Sequence, residues 1–250
     1  MTTTILLALV SGLLIGCIGI GGVLLVPGLT FAGIDVHAAI AASMFSFVFS
    51  GIIGVWLYAR EGSVEWGPSA WLALAAMPGA LAGSLLASHL SGDLLLMFVG
   101  AAVIFAGARS LRRRAAATAE DGASLAPPAL LAIGAVVGVA SAMTGTGGPL
   151  LLVPILLWLR TPVLRSVGLS QVIQIPIAGF ASFGNLLAGT LDLRLGVLLS
   201  IGVALGAAVG AHAAHRLPTT LLTRLVAVIL LLVGVLVIAR SSQVLALAWS

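Results

Sequence analysis

Two glycine-rich runs are the residues best placed to do chemistry: Gly19-Ile20-Gly21-Gly22 and Gly145-Thr146-Gly147-Gly148-Pro149. Each lies inside an apolar segment, 4–33 or 128–159. Both segments are longer than the ~20 residues that one straight span requires. Consecutive glycines and a proline are poor helix interior. Each segment therefore reads as two half-helices joined by an unwound break. Such backbone survives at membrane depth only when it is buried in protein or lines a wet cavity. A half-helix N-terminus there presents unpaired N–H groups and a positive dipole end. The chemistry on offer is anion binding without a full positive charge. Matched Gly/Pro interruptions in two halves of a chain point to a transporter's substrate site, in preference to the close helix packing that membrane glycines also serve.

Side chains around the breaks extend the same chemistry. Thr144 and Thr146 add hydroxyl donors at the second break. Gln171 and Gln174 fall near the middle of the following segment, three residues apart on one face. Buried amides are costly in hydrocarbon, so they face a partner or a cavity, and the glutamines are assigned to the cavity. Ser170 precedes Gln174 by one turn, and Ser43, Ser46 and Ser50 form the matching stripe in the first half. The serines read first as interhelical hydrogen-bonding groups, with Ser43 kept among the substrate contacts. The candidate site is thus Gly19, Gly21, Gly22, Ser43, Thr144, Gly145, Thr146, Gly147, Gly148, Gln171 and Gln174. Asn185 lies about 21 Å from Gln171 along a helix, too far to share one small ligand, and reads as a cap or an exit-lining residue.

No Asp, Glu or Lys falls in the middle of an apolar segment. Proton relays and cation sites usually rely on such a group, so a donor-lined neutral site suits an anion better. His37, His89, His212 and His215 lie near segment ends, where an amphipathic ring sits at the interface. His212 and His215 have metal-pair spacing but no further ligand, so neither a metal nor a cofactor is expected. Cys17 is the one cysteine, which excludes an intrachain disulfide. Leu14-Ile15-Gly16-Cys17 looks like a lipoprotein box, but no Arg or Lys precedes it.

Composition decides what positions these residues. The chain has 250 residues, 61% hydrophobic and 7% charged, with a mean hydropathy of +1.26. A soluble domain carries about 25% charged residues. This chain cannot cover a water-facing surface, and lipid must be its main solvent. The net charge of +4 does not point to nucleic acid. Arg109, Arg112, Arg113 and Arg114 share one linker between apolar segments, which is first an orientation signal.

The architecture is an internal duplication. Gly12, Gly19, Gly21 and Gly22 recur as Gly138, Gly145, Gly147 and Gly148, at an offset of 126. Pro27, Ser43, Gly62, Gly79, Gly83, Leu90 and Gly107 recur as Pro154, Ser170, Gly189, Gly206, Gly210, Leu217 and Gly234, at an offset of 127. Each copy holds four apolar segments: 4–33, 37–59, 67–90 and 92–109, then 128–159, 163–188, 194–216 and 218–240. The expected organisation is a first membrane repeat (1–109), a basic cytoplasmic linker (110–127) and a second repeat (128–250). The fold class is all-α and polytopic. Gly79-x-x-x-Gly83 and Gly206-x-x-x-Gly210 are helix-packing faces, within a protomer or between the protomers of a homodimer.

Arginines choose between two topologies. If every segment crosses and the linker is cytoplasmic, seven arginines lie inside and four outside. If the two broken segments are hairpins, each copy has three full spans and the second copy is inverted. Nine arginines then lie inside, and only Arg194 and Arg240 outside. The positive-inside rule prefers the hairpins, which place both chain termini outside.

The Gly12-x-x-x-Gly16-x-x-Gly19-x-Gly21-Gly22-x4-Pro27 start, the second Gly145-x-Gly147-Gly148 run and the duplicated eight-segment layout resemble the TauE/SafE family of sulfite and organosulfonate exporters. Ala142 stands where the first copy has Gly16, a departure from symmetry. The resemblance implies export of sulfur-containing anions, such as sulfite, sulfoacetate or related sulfonates, across a bacterial inner membrane. Two other classes compete. A membrane-embedded enzyme lacks a carboxylate, histidine or nucleophile cluster at depth. A structural or assembly subunit needs no ligand, so sulfonates would leave its melting temperature unchanged.

Overall fold

A computed structural model describes residues 2–19, 22–101, 125–159 and 161–214. Gly21, the arginine-rich part of the linker, His215 and the last apolar segment (218–240) lie outside the described residues. Within them are nine helices and no strand: α1 Thr2–Ile18, α2 Gly22–Phe31, α3 Val36–Arg60, α4 Trp66–Ser88, α5 Gly92–Ala101, α6 Pro127–Thr144, α7 Pro149–Trp158, α8 Val163–Leu187 and α9 Leu193–Ala214. Five of these (α3, α4, α6, α8, α9) are long and apolar enough to cross a membrane.

Local chemistry sets the helix ends. Asp35 starts α3, its Oδ2 accepting from the His37 and Ala38 amides at 2.9 and 3.2 Å. Asp192 does the same for α9 through Arg194 and Leu195. Pro127 and Pro128 form the first turn of α6, where a missing N–H costs nothing, so helix begins at the end of the expected linker. Gly19 (φ 75°) and Gly145 (φ 67°) end α1 and α6 in the left-handed region that glycine enters without strain.

Register across helix pairs gives the direction of each arm. Leu72 meets Gly134, Ala76 meets Gly138 and Val139 meets Gly83, so α4 and α6 run parallel. Ala8 meets Gly202, Gly12 meets Val203 and Cys17 meets Gly210, so α1 and α9 run parallel. The helices α3 and α8 run antiparallel: Phe47 pairs with Gln174, Gly54 with Gln171, and Ser63 with Gly168. Short turns make α3 and α4, and likewise α8 and α9, antiparallel neighbours. Hence α1, α3 and α9 point one way, while α4, α6 and α8 point the other.

Because α1 and α3 share a direction, α2 between them must run back. Leu7 packs on Gly28, two residues that one continuous helix would hold about 31 Å apart. The same directions make α7 the return arm of α6. Each glycine-broken segment is therefore a hairpin. The end of α3 and the start of α8 then share one face, where Arg165 pairs with Glu65 and the Ser63 carbonyl packs on Gly168. Eight plain crossings would put Arg60 and Arg165 on opposite faces. The ion pair is about a third exposed, so it adds at most ~1 kcal/mol. Its information is positional.

Packing matches a lipid solvent. Small residues line the interhelical seams: Gly12, Gly16, Gly206 and Gly210 between α1 and α9, and Gly79, Gly83, Gly134 and Gly138 between α4 and α6. Both Gly-x-x-x-Gly faces are thus used inside the protomer. Large apolar side chains point outward instead, including Trp56, Leu74, Ile201 and Val209, each more than half exposed. In water such a belt would drive aggregation. In hydrocarbon it costs nothing.

Candidate functional site

The two breaks meet in the centre of the bundle. A Cβ placed on Gly22, the first residue of α2, would come within 2.6 Å of the Thr146 carbonyl. One placed on Gly19 would lie 3.0 Å from Pro149, the first residue of α7, and 3.4 Å from Ser170 Oγ. Phe47 wedges between them, its ring against both Gly22 and Gly147. Phe47 and Gln174 sit near the middle of α3 and α8, so the contact lies at mid-depth. The N-termini of both return arms therefore start in one buried zone. Gly147 (φ 79°) and Gly148 (φ 103°) hold conformations that side-chain-bearing residues rarely adopt.

Every candidate among the described residues is buried there. Their hydrogen bonds divide them. Thr144 Oγ1 donates to the Ala140 carbonyl at 2.7 Å, which leaves Thr146 Oγ1 to donate to Thr144 Oγ1 at 2.9 Å. Gln174 Nε2 donates to the Phe47 carbonyl (3.0 Å) and to Ser50 Oγ (2.8 Å). Gln171 Nε2 donates to the Ile15 carbonyl at 2.9 Å, and Gln171 Oε1 has no donor. Ser170 bonds back to Val167, whereas the hydroxyl of its counterpart Ser43 is buried without a partner. Ser43 lies on the face of α3 between Ile40, which packs on Gly145, and Phe47, which packs on Gly147. Both glutamines thus bridge the halves of the chain, since their amides bind backbone of α1 and α3.

Asn185 is buried, and its Nδ2 has no partner. Its backbone carbonyl receives the Thr190 amide and hydroxyl at the end of α8. Tyr58 is the functional candidate that sequence reasoning misses. Its hydroxyl donates to the Gly16 and Cys17 carbonyls at 3.1 and 3.4 Å, at the end of α1. It is the sole tyrosine, two residues before the end of a span, a position where aromatic residues usually anchor at the membrane interface. The match of Tyr58 with Asn185, at the 127-residue offset, is the signal that could have found it.

A cavity of about 690 Å³ opens elsewhere, between α4 and α8, lined by Met77, Ile175, Pro176 and Phe180. Its walls are apolar and suit lipid rather than an anion. Among the described residues no group of three or more His, Cys, Asp or Glu could hold a metal ion.

The family model described as sulfite exporter TauE/SafE matches residues 4–237. A Bacillus subtilis protein named "Probable membrane transporter protein YdhB" is 26% identical over 227 residues, covering 87% of this chain and 92% of that protein. A "Probable membrane transporter protein" of Xylella fastidiosa is 29% identical over 249 residues, covering 96% and 92%. "Probable membrane transporter protein MJ0441" of Methanocaldococcus jannaschii is 27% identical over 214 residues, covering 79% and 75%. No solved structure is significantly similar.

Proposed function

We propose, from the premise that this chain belongs to the sulfite exporter TauE/SafE family of membrane transporters, that it carries small sulfur-containing anions out of a bacterial cell across the inner membrane. Its cargo is a sulfonate such as sulfoacetate, or sulfite. It does this as a carrier, not as an enzyme. The observation that carries the reading is the meeting of the two breaks, which brings the N-termini of α2 and α7 into one buried zone. Two positive dipole ends converge where dielectric screening is weakest. Ser43 offers a hydroxyl with no competing partner. Thr144, Thr146, Gln171 and Gln174 already hold protein acceptors. Substrate entry exchanges those bonds for bonds to anion oxygens. The two copies act as inverted repeats, and sliding of α8 against α1 and α3 breaks the glutamine bridges on each transport cycle.

Gln174→Leu removes both bonds from α8 to α3. A membrane interhelical hydrogen bond contributes about 0.6 kcal/mol on average, so folded yield stays near normal. Sulfonate or sulfite flux into proteoliposomes falls roughly tenfold, by loss of one charge-assisted contact. Thr146→Val behaves alike. Wild-type flux in both variants would place the site elsewhere.

Orientation follows the arginines. With the linker in the cytoplasm, the turn between α3 and α4 lies inside and the turn between α8 and α9 outside. In a Cys17→Ser background, a membrane-impermeant thiol reagent added to whole cells labels Thr190→Cys and spares Ser63→Cys. Equal labelling of the two positions contradicts the arrangement.

A further inference from the structure

We propose that the C-terminal end of α1 is a sodium-ion site, built from the backbone carbonyls of Gly16 and Cys17 with Gln171 Oε1 and the Tyr58 hydroxyl, beside the Ile15 carbonyl that holds the Gln171 amide in place. The starting observation is an acceptor with nothing to accept. Gln171 is fully buried, and its Oε1 has no donor. Turning the amide over does not cure this, because Nε2 is held by the Ile15 carbonyl at 2.9 Å and a flip would set two acceptors face to face.

The surroundings are oxygen-rich. The Gln171 amide lies flat on α3 at Gly54, where a Cβ would come within 2.5 Å of Oε1. One turn further along α3, the Tyr58 hydroxyl reaches the Gly16 and Cys17 carbonyls. The Ile15 carbonyl takes the Gly19 amide as well as Gln171. One hydroxyl proton thus serves the Gly16 and Cys17 carbonyls, which follow directly along α1 the carbonyl that holds the Gln171 amide. All of this sits at the negative end of a half-helix dipole. Among the described residues, Arg60 stacks on the exposed Trp56 at 3.9 Å and Arg165 pairs with Glu65, while His212, next to the Ala211 that packs on Gly16, is exposed.

The donor set selects the ion. Uncharged hard oxygens without a carboxylate suit a small monovalent cation, whereas calcium or magnesium draws on carboxylates. Unwound segments and half-helix C-termini are where buried sodium is coordinated in carriers of broken-helix design. The lack of Asp or Glu in the middle of the apolar segments therefore argues only against carboxylate cation sites. The second copy has no equivalent, because Met44 stands in the place of Gln171 and Asn185 in the place of Tyr58. One chain takes one ion. Its role as coupling ion rests on the carrier reading above; its binding does not.

The test is melting of the purified full chain in detergent at constant ionic strength, with NaCl, LiCl, KCl or N-methylglucamine chloride. Sodium raises the melting temperature by several degrees with saturation in the millimolar range, and potassium and N-methylglucamine do not. Tyr58→Phe, which keeps the ring, and Gln171→Met, which keeps the volume, each raise the half-saturating sodium concentration roughly tenfold. Identical sodium and potassium curves overturn the proposal, as does an unchanged sodium response in folded Tyr58→Phe. Repeating the melts with sulfonates at saturating sodium separates the two readings. A sodium response without any anion response defeats the anion seat and leaves this site standing.

Discussion

Gly147→Ala lowers the melting temperature far more than Gly62→Ala and, on the proposed anion-carrier function, abolishes most anion flux. The two glycines share the left-handed backbone, with φ of 79° and 68°. An L side chain in that region costs about 1–2 kcal/mol wherever it occurs. Their surroundings differ. Nothing lies within 4 Å of a Cβ on Gly62, so strain is its whole penalty. A Cβ on Gly147 would sit 2.7 Å from Phe47 Cδ2, and Phe47 is fully buried. Phe47 cannot yield without pressing on Gly22 at the other break. Overpacking of this kind adds about 1–3 kcal/mol. The flux loss has a separate cause, since a displaced Gly147 moves the first amides of α7. Thermal melting in detergent reads the first effect, and proteoliposome flux per folded molecule reads the second. Equal melting of the two variants, with wild-type flux in Gly147→Ala, would show that break two is neither tightly packed nor part of the site.

Much of this arrangement is legible in the residues, and the reasons are local. Clustered glycines, with Pro149 behind the second run, are poor helix interior, so the ends of α1 and α6 are visible in the sequence. Arginine placement prefers hairpins to plain crossings, because each charge must stay near water, and helix register turns α2 back against α1. The partners of the glutamines are not legible. Mid-depth position says only that Gln171 and Gln174 need a partner, and the acceptors are main-chain carbonyls of Ile15 and Phe47 in the other half of the chain. Main-chain carbonyls carry no sequence signature, so pairing over such separations emerges only when α8 docks on α1 and α3. The carbonyl cluster beside Tyr58 is hidden for the same reason.

Gly206→Leu yields no folded protein, while Gly179→Ala yields a chain at least as stable as the parent. Both glycines are helical, and replacing a helical glycine removes a backbone-entropy cost of about 0.5–1 kcal/mol. Gly179 lines the apolar hollow between α4 and α8 and has nothing within 4 Å of a Cβ, so it keeps the whole gain. A Cβ on Gly206 would meet main chain, 2.7 Å from the Leu13 amide and 3.1 Å from the Gly12 carbonyl carbon. Main chain cannot change rotamer to make room. The helices α1 and α9 would have to separate along their length, because Gly12, Gly16 and Gly210 share the seam. Between membrane helices, close packing is the main attraction, since lipid is as apolar as the side chains it replaces. The helix α1 carries Gly16 and Cys17, so separation also removes the acceptors of Tyr58. Gly79→Leu, at the matching place between α4 and α6, fails alike, because its Cβ would lie 2.7 Å from the Ala135 carbonyl. Size-exclusion profiles of tagged protein in mild detergent check all three. A monodisperse Gly206→Leu peak with the parent's melting temperature would rule out the α1–α9 seam as the contact that holds the first broken hairpin in place.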